Sequence, residues 1–520
     1  MKRLLFLLFF PVHIGLFAQQ IDFRAWQFHA LDTSYMRKAI DLAPEYNITS
    51  IVMSHGALSN AMELYQEKFE PNTISNQGAQ LKAIANYARK KEIETHIWIH
   101  ELADIPEKFK VGKRVNLDDK KLWKYLTQRY EAVFKDYPEF AGMQITFHET
   151  EFKIFDDAEV VSKMSQPERF AKLIKTVFDV CKKYDKKLIV RTFLYESEEY
   201  DWVKEGLLKS DNDIIIQTKC APNDWQPFFP HNAMIGAFPN KKQIIEYDAS
   251  AEYMGRNFIV WAAPHYFQYR WKYAVQYPQV IGYNVRLDHS AYDALFTPNE
   301  INIYALAKLA ENPDYDMEKL WRDWAHKKYG ANAAKAAIEI LKPTYDMVNK
   351  VYFPQGVWFG NHSKLTHFEY GENRIPYIAH WDESWQPVVD KLMNPTEEVL
   401  RELVTEKDSA LLLTQQSLWK LHESQDLFKK EDFQDLNERL LFQLHFTLLA
   451  KSNVKLHFGV KMARVDKKYI PYVVDELKVF RAYGSAIPEF IRNKKNNWLL
   501  DPLVVEKVAK RIENQLNQLD

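Results

Sequence analysis

The sequence predicts a (β/α)8 TIM barrel followed by an all-helical C-terminal domain. Three observations carry that expectation: eight short β-rich runs before about residue 290, amphipathic or charged stretches between them, and an end to the β pattern thereafter. The runs are 23–29, 48–55, 94–101, 142–149, 187–195, 213–220, 243–252 and 280–288. Helical patterns such as 122–134 and 170–183 separate them. Eight parallel strands close around an interior that side chains can fill, which favours a barrel over an open sheet.

Beyond residue 290 the periodicity turns helical. Thr297-Pro298-Asn299-Glu300 opens a helix, with Thr297 as cap, Pro298 in the first turn and Glu300 three residues on. Met317, Leu320, Trp321 and Trp324 share one face of a second helix, which Gly330 closes. Long helical patterns follow over 397–425, 434–449 and 502–519. We therefore divide the chain into residues 1–18, a signal peptide; 19–300, the barrel; and 301–520, the helical domain.

The first of these rests on Lys2 and Arg3, an apolar run over 4–10, and Phe17-Ala18-Gln19-Gln20, with cleavage expected after Ala18. Pro11 and His13 interrupt the run well short of the roughly 20 residues that span a bilayer. The expected product is exported, to the periplasm or the medium. No Cys follows the apolar run to accept a lipid, and the only two, Cys181 and Cys220, are expected to be free thiols.

Lys and Arg number 69 against 70 Asp and Glu, a balance that argues against a nucleic-acid or membrane-surface partner. No Gly-rich phosphate cradle precedes a helix, so no nucleotide cofactor is expected. His96, His100 and Glu101 do not have the spacing of a helical zinc site, and strand alternation sets Glu101 apart from both histidines, so no metal is assigned. The 14 Trp and 28 Tyr supply flat apolar faces of the kind that stack on sugar rings, beside their ordinary role as core.

The strand ends carry the polar chemistry. The fourth finishes in His148-Glu149-Thr150-Glu151. The sixth runs through Lys219 into Pro222-Asn223-Asp224-Trp225. On the seventh, alternation puts Glu246, Asp248, Ser250 and Glu252 on one face. Three carboxyls on a barrel strand are costly unless bonded, hydrated or used. Glycoside hydrolysis uses such a set, one protonated acid beside the leaving oxygen and one carboxylate opposite it. Arg191 on the fifth strand and Lys219 on the sixth either neutralise these acids or grip a substrate carboxylate, Arg with a planar fork and Lys as a point charge.

The stretch Gln217-Thr218-Lys219-Cys220-Ala221-Pro222-Asn223-Asp224, then Gly236-Ala237-Phe238-Pro239, Glu246 and Ala251-Glu252-Tyr253-Met254-Gly255, resembles the family 67 α-glucuronidases. The likeness spans about 21–330 and is specific from Arg191 to Gly255. It implies inverting, exo-acting release of a uronic acid from a plant or algal polysaccharide or its oligosaccharides. By the match, Asp224 and Glu252 hold and deprotonate water, and Arg191 and Lys219 bind the uronate. The general acid falls at Glu149, directly at the strand end, or with one shift in the turn at Glu151, because an ungapped match lands on Thr150 between them. Trp26 matches an aromatic residue ahead of the family's barrel, and the family's separate preceding domain has no counterpart before the first strand. The helical region, by the same analogy, implies a homodimer. Trp225, Tyr195, His265 and Asp288 are further candidates for the sugar pocket, as are His55, Trp98, His100, Glu101, Tyr266 and Arg286. Two alternatives compete with this reading: a retaining exo-glycosidase with Glu252 as nucleophile, and a non-catalytic glycan-binding protein.

Overall fold

A computed structural model of the protein describes residues 21–29, 31–53, 76–289, 292–360, 362–493 and 499–519. The expected signal peptide and His55 lie outside the described residues. Eight parallel strands close a barrel: β1 Phe23–Gln27, β2 Ser50–Met53, β3 Glu94–His100, β4 Gly142–Thr146, β5 Lys187–Thr192, β6 Ile215–Lys219, β7 Lys242–Asp248 and β8 Val280–Arg286. Each coincides with one run read from the sequence and finishes a little short of that run's end, where the chain turns into a loop.

Alternation decides which side chains fill the barrel. Phe23, Ala25, Val52, Trp98, Ile189, Ile215 and Ile244 form an apolar floor inside it, separate from the core between strands and helices. The intervening residues, among them Trp26, Ile51, Ile97, Ile145, Val190, Ile216, Ile245 and Tyr247, point outward into that second core. On β8 Gly282 is required by close approach, since a Cβ there would meet the Phe23 carbonyl oxygen at 1.7 Å.

Helices α1 Thr33–Leu42, α2 Asn76–Arg89, α3 Lys120–Asp136, α4 Gln166–Lys183 and α5 Glu199–Leu208 wrap the first half of the barrel. Side chains fix where they start. Asp32 accepts from the backbone of Ser34 and Tyr35, Asp119 from Lys121, and Glu168 from Ser165. Helices α6 Pro264–Ala274 and α7 Glu300–Glu311 complete the ring. The connection from β6 to β7 holds no helix, against the expected alternation. Pro222, Pro227, Pro230 and Pro239 fall within it, and each removes a backbone donor.

Helix α7 begins at Glu300 rather than Pro298. Thr297 accepts from the Asn299 backbone at 3.2 Å, and the Asn299 side chain is drawn to Trp261, Asn257 and Ile259. The rest of the chain is helical, as expected. Helix α8 Met317–Leu341 is broken at Gly330 (φ 82°) but continues at once, and α9 Thr344–Tyr352, α10 Phe368–Arg374 and α11 Gln386–Met393 follow. The long pair α12 Glu397–Glu423 and α13 Lys430–Val465 packs antiparallel beneath them, and α13 runs well beyond the 434–449 read from the sequence. Helices α14 Ile470–Ser485, α15 Glu489–Arg492 and α16 Pro502–Leu516 close the domain. Cys181 and Cys220 are buried free thiols. Among the described residues no helix is long and apolar enough to cross a membrane.

Candidate active site

Above the apolar floor the same inward positions become polar. Arg191 faces Glu246 with two parallel bonds, Nε to Oε2 at 2.7 Å and Nη2 to Oε1 at 2.9 Å. Gln217 donates to Glu246 at 2.9 Å and accepts from Asn284 at 2.9 Å, and Asn284 also donates to Gln27 at 2.8 Å. Burial raises the cost of charge on Glu246, but Arg191 outweighs it and holds the carboxyl below its usual range.

One layer higher lie the acids of the loops. Lys219, at the end of β6, pairs with Asp224 from the following loop, and Asp224 also accepts from the Tyr253 hydroxyl. Burial pushes the Asp224 carboxyl up and Glu252 adds to that, yet Lys219 and Tyr253 win and keep it below the ordinary value. Burial in turn lowers the Lys219 ammonium, which stands 3.7 Å from the Phe193 ring centroid and 4.0 Å from that of Trp225.

Glu252 reaches this layer by a turn rather than by strand alternation, because β7 ends at Asp248 and Ala251 takes a left-handed conformation (φ 54°). Asp248 stabilises the turn by accepting from the backbone of Ser250 at 2.9 Å and of Glu252 at 2.8 Å. The Glu252 carboxylate pairs with Arg286 of β8 and lies 2.7 Å from Nδ1 of His362.

At the end of β4, Glu149 is also left-handed (φ 57°), an uncommon state for Glu that recurs at functional sites. Its carbonyl is 2.8 Å from Nδ1 of His100. Its side chain is exposed to a cleft of about 840 Å³, which Phe193, Tyr195, Asn223, Asp224, Tyr253, Trp358, His362, Tyr370, Arg374 and Tyr377 also line. Tyr195 lies against the Glu149 backbone and within electrostatic reach of both Glu149 and Asp224.

Glu149, Asp224 and Tyr195 thus meet in the cleft, with Glu252 buried nearby and within electrostatic reach of Asp224. Arg191 and Lys219 sit underneath, buried and engaged by Glu246 and Asp224; Nη1 of Arg191 has no bonding partner among the described residues. Other candidates fall elsewhere. Glu151 accepts from the Asp104 backbone at 2.8 Å and lies 3.6 Å from Lys110, away from the cleft lining. Trp26 points outward and packs on Tyr46 in the helix-facing core, so it meets no sugar. Trp225 is not an open platform: it is 2% exposed, with Arg286 4.1 Å from its ring centroid as well as Lys219 over it. His265 is exposed on the first turn of α6, outside the cleft lining. Asp288 is buried, its carboxylate bonded to the His29 backbone at 2.6 Å. Of the weaker candidates, Arg286 and His100 join the site through Glu252 and the Glu149 carbonyl. Trp98 belongs to the floor, Glu101 accepts from Tyr130, and Tyr266 is buried beside Cys220.

The helical region supplies a wall that the sequence pattern does not signal. Trp358, His362, Tyr370, Arg374 and Tyr377 come from it. Ser363 pins this segment to the barrel by donating to the Glu252 carbonyl at 2.7 Å and accepting from the Gly255 backbone at 2.8 Å. The Tyr377 hydroxyl donates to the Tyr195 carbonyl. His362 and Ser363 both adopt positive φ, 48° and 66°, so the loop is held in an unfavourable conformation by these bonds.

A closed (β/α)8 barrel with carboxylates gathered at its C-terminal mouth is an arrangement that glycoside hydrolysis can use. The glycosyl hydrolase family 67 middle domain matches residues 48–279. No curated protein sequence matches the chain. Among solved structures, a GH138 enzyme targeting pectin rhamnogalacturonan II superposes with a TM-score of 0.58 at 10% identity, over 96% of this chain and 68% of that one. A GH115 4-O-methyl-α-glucuronidase with specificity for decorated arabinogalactans superposes with a TM-score of 0.52 at 12% identity, over 95% of this chain and 62% of that one. At such identities these two show a shared fold.

Proposed function

We propose that the protein is an exported glycoside hydrolase that releases a uronic acid from a plant or algal polysaccharide or its oligosaccharides by inversion. The observation that carries this reading is that Asp224 and Glu149 line one cleft at the barrel mouth, with Glu252, from the turn after β7, buried nearby and within electrostatic reach of Asp224. Asp224 is held ionised by Lys219 and Tyr253, as a base must be. Glu252 is oriented by Arg286 and His362.

In this mechanism Glu149 gives its proton to the glycosidic oxygen as the C–O bond breaks. Asp224 and Glu252 orient a water for attack on the opposite face of the anomeric carbon and take up its proton. Arg191 offers the buried Nη1 edge beneath the site, and Lys219 keeps the base charged. The match to the family 67 middle domain, and the α-glucuronidase activity of the GH115 neighbour, support a uronic acid as the released sugar.

The test is to incubate the protein with uronic-acid oligosaccharides and follow the first sugar released by proton NMR. Appearance of the β-anomer from an α-linked substrate supports inversion. Initial release of the α-anomer overturns it in favour of retention, with Glu252 as nucleophile, and no release from any member of the panel overturns the hydrolase reading.

A further inference from the structure

The lining of the cleft is rich in acid. Glu149, Glu196, Glu199 and Asp224 face it, while Arg191 and Lys219 lie buried beneath and are engaged by Glu246 and Asp224. An anionic sugar entering this mouth is repelled unless a cation meets it from another side.

Arg374 is so placed. It ends helix α10, is part-buried and lines the cleft. Its guanidinium carbon stands 4.6 Å from the Trp358 ring centroid, 5.2 Å from that of Tyr377 and 5.3 Å from that of Tyr370. Among the described residues no carboxylate forms a salt bridge with it, in contrast to the two barrel cations, although Glu196 of the lining lies within its electrostatic reach. The three rings flank the part-buried guanidinium and favour its charge by cation–π attraction. A guanidinium carries five N–H donors, so its hydrogen bond with Tyr370 still leaves donors for a planar oxyanion, which Arg grips with two parallel bonds. Tyr370 and Tyr377 also lie within electrostatic reach of Asp224, so the cage and the proposed base border the same space. Lys153, the other cation of the lining, is an exposed point charge without such a cage.

We propose that Arg374 is the carboxylate-binding residue of the cleft, so that the helical region selects a uronate while the barrel acids work on its anomeric end. The second half rests on the hydrolase reading; the first does not. The experiment therefore measures binding and turnover separately on the full chain. D-glucuronate and D-glucose are titrated calorimetrically into the wild type, Arg374→Ala and Arg374→Lys, with thermal melting to confirm folding, and each protein is assayed on uronic-acid oligosaccharides. Loss of a charge-assisted bidentate contact predicts about 10- to 100-fold weaker glucuronate binding by Arg374→Ala. Arg374→Lys, which keeps the charge and most of the packing, is expected to fall between, with glucose binding unchanged in both.

Unchanged glucuronate affinity in Arg374→Ala, or equal loss for glucose and glucuronate, overturns the assignment. Arg374-dependent glucuronate binding without hydrolysis of any oligosaccharide sustains the assignment and removes the hydrolase reading. Hydrolysis undiminished in Arg374→Ala does the reverse.

Discussion

The floor and the mouth of the barrel are built on the same strands, one pleat period apart. On β5 the inward sequence is Ile189 then Arg191; on β6 it is Ile215, Gln217, Lys219; on β7 it is Ile244, Glu246, Asp248. Below, aliphatic side chains close the barrel by packing. Above, the same geometry is filled by ion pairs that are expensive to bury and gain their stability only from mutual pairing. A barrel can therefore be folded by one layer and functionalised by the next, and substitutions in the two layers should fail in different ways.

The largest expected effect belongs to the mouth. Asp224→Asn or Glu252→Gln should lower kcat by on the order of a thousandfold, within the range for removing a general base, while oligosaccharide binding persists. Calorimetric titration beside steady-state rates checks this, and a variant that turns over normally at saturation but binds poorly contradicts the assigned role. One layer down, Glu246→Leu leaves the buried Arg191 guanidinium without its carboxylate and should cost about 3–5 kcal/mol in urea denaturation. Removing both charges in Arg191→Met/Glu246→Leu should recover much of that loss. A double variant as unstable as the single one would mean the pair is not a self-contained unit. At the floor, Ile244→Ala should cost about 2–5 kcal/mol through lost contacts and a residual cavity, with kcat nearly unchanged. A large fall in kcat there would show that floor and mouth are not separable.

The floor was readable in advance and much of the mouth was not. Period-two alternation in eight β-rich runs located every strand, because a closed barrel forces alternate side chains into two different cores. The same rule, applied to β1, places Gln27 inside and Trp26 outside, so a sequence likeness at Trp26 yields to parity. On β7 alternation carried the argument to Asp248 but no further, since the left-handed turn at Ala251 delivers Glu252 by a different route. Glu149 and Glu151 were indistinguishable by spacing; the turn sends the first to the cleft and the second to Lys110. His362 and Arg374 left no local signal, since each sits among other polar residues of a helical region far downstream of the barrel acids. Loop residues brought to a site by tertiary packing have no period to betray them.

The smallest effect sharpens the contrast through pH. The folded Glu246 carboxyl lies below its ordinary value of 4.5, burial opposing and Arg191 more than offsetting the shift. A depressed carboxyl adds stability that is fully present above the unfolded value and is lost as pH falls through the folded one. The wild type should therefore lose stability progressively below about pH 4.5, as the unfolded chain takes up a proton that the folded chain refuses. Arg191→Met/Glu246→Leu lacks that linkage, so its melting temperature should decline less steeply over the same range. Ile244→Ala, which carries no titrating group, should keep the wild-type slope from a lower starting point. Parallel acid limbs in the wild type and the double variant would place the acid sensitivity elsewhere. Glu372 is the next group to examine, since His457 and Lys461 offset its burial and hold it at about 2.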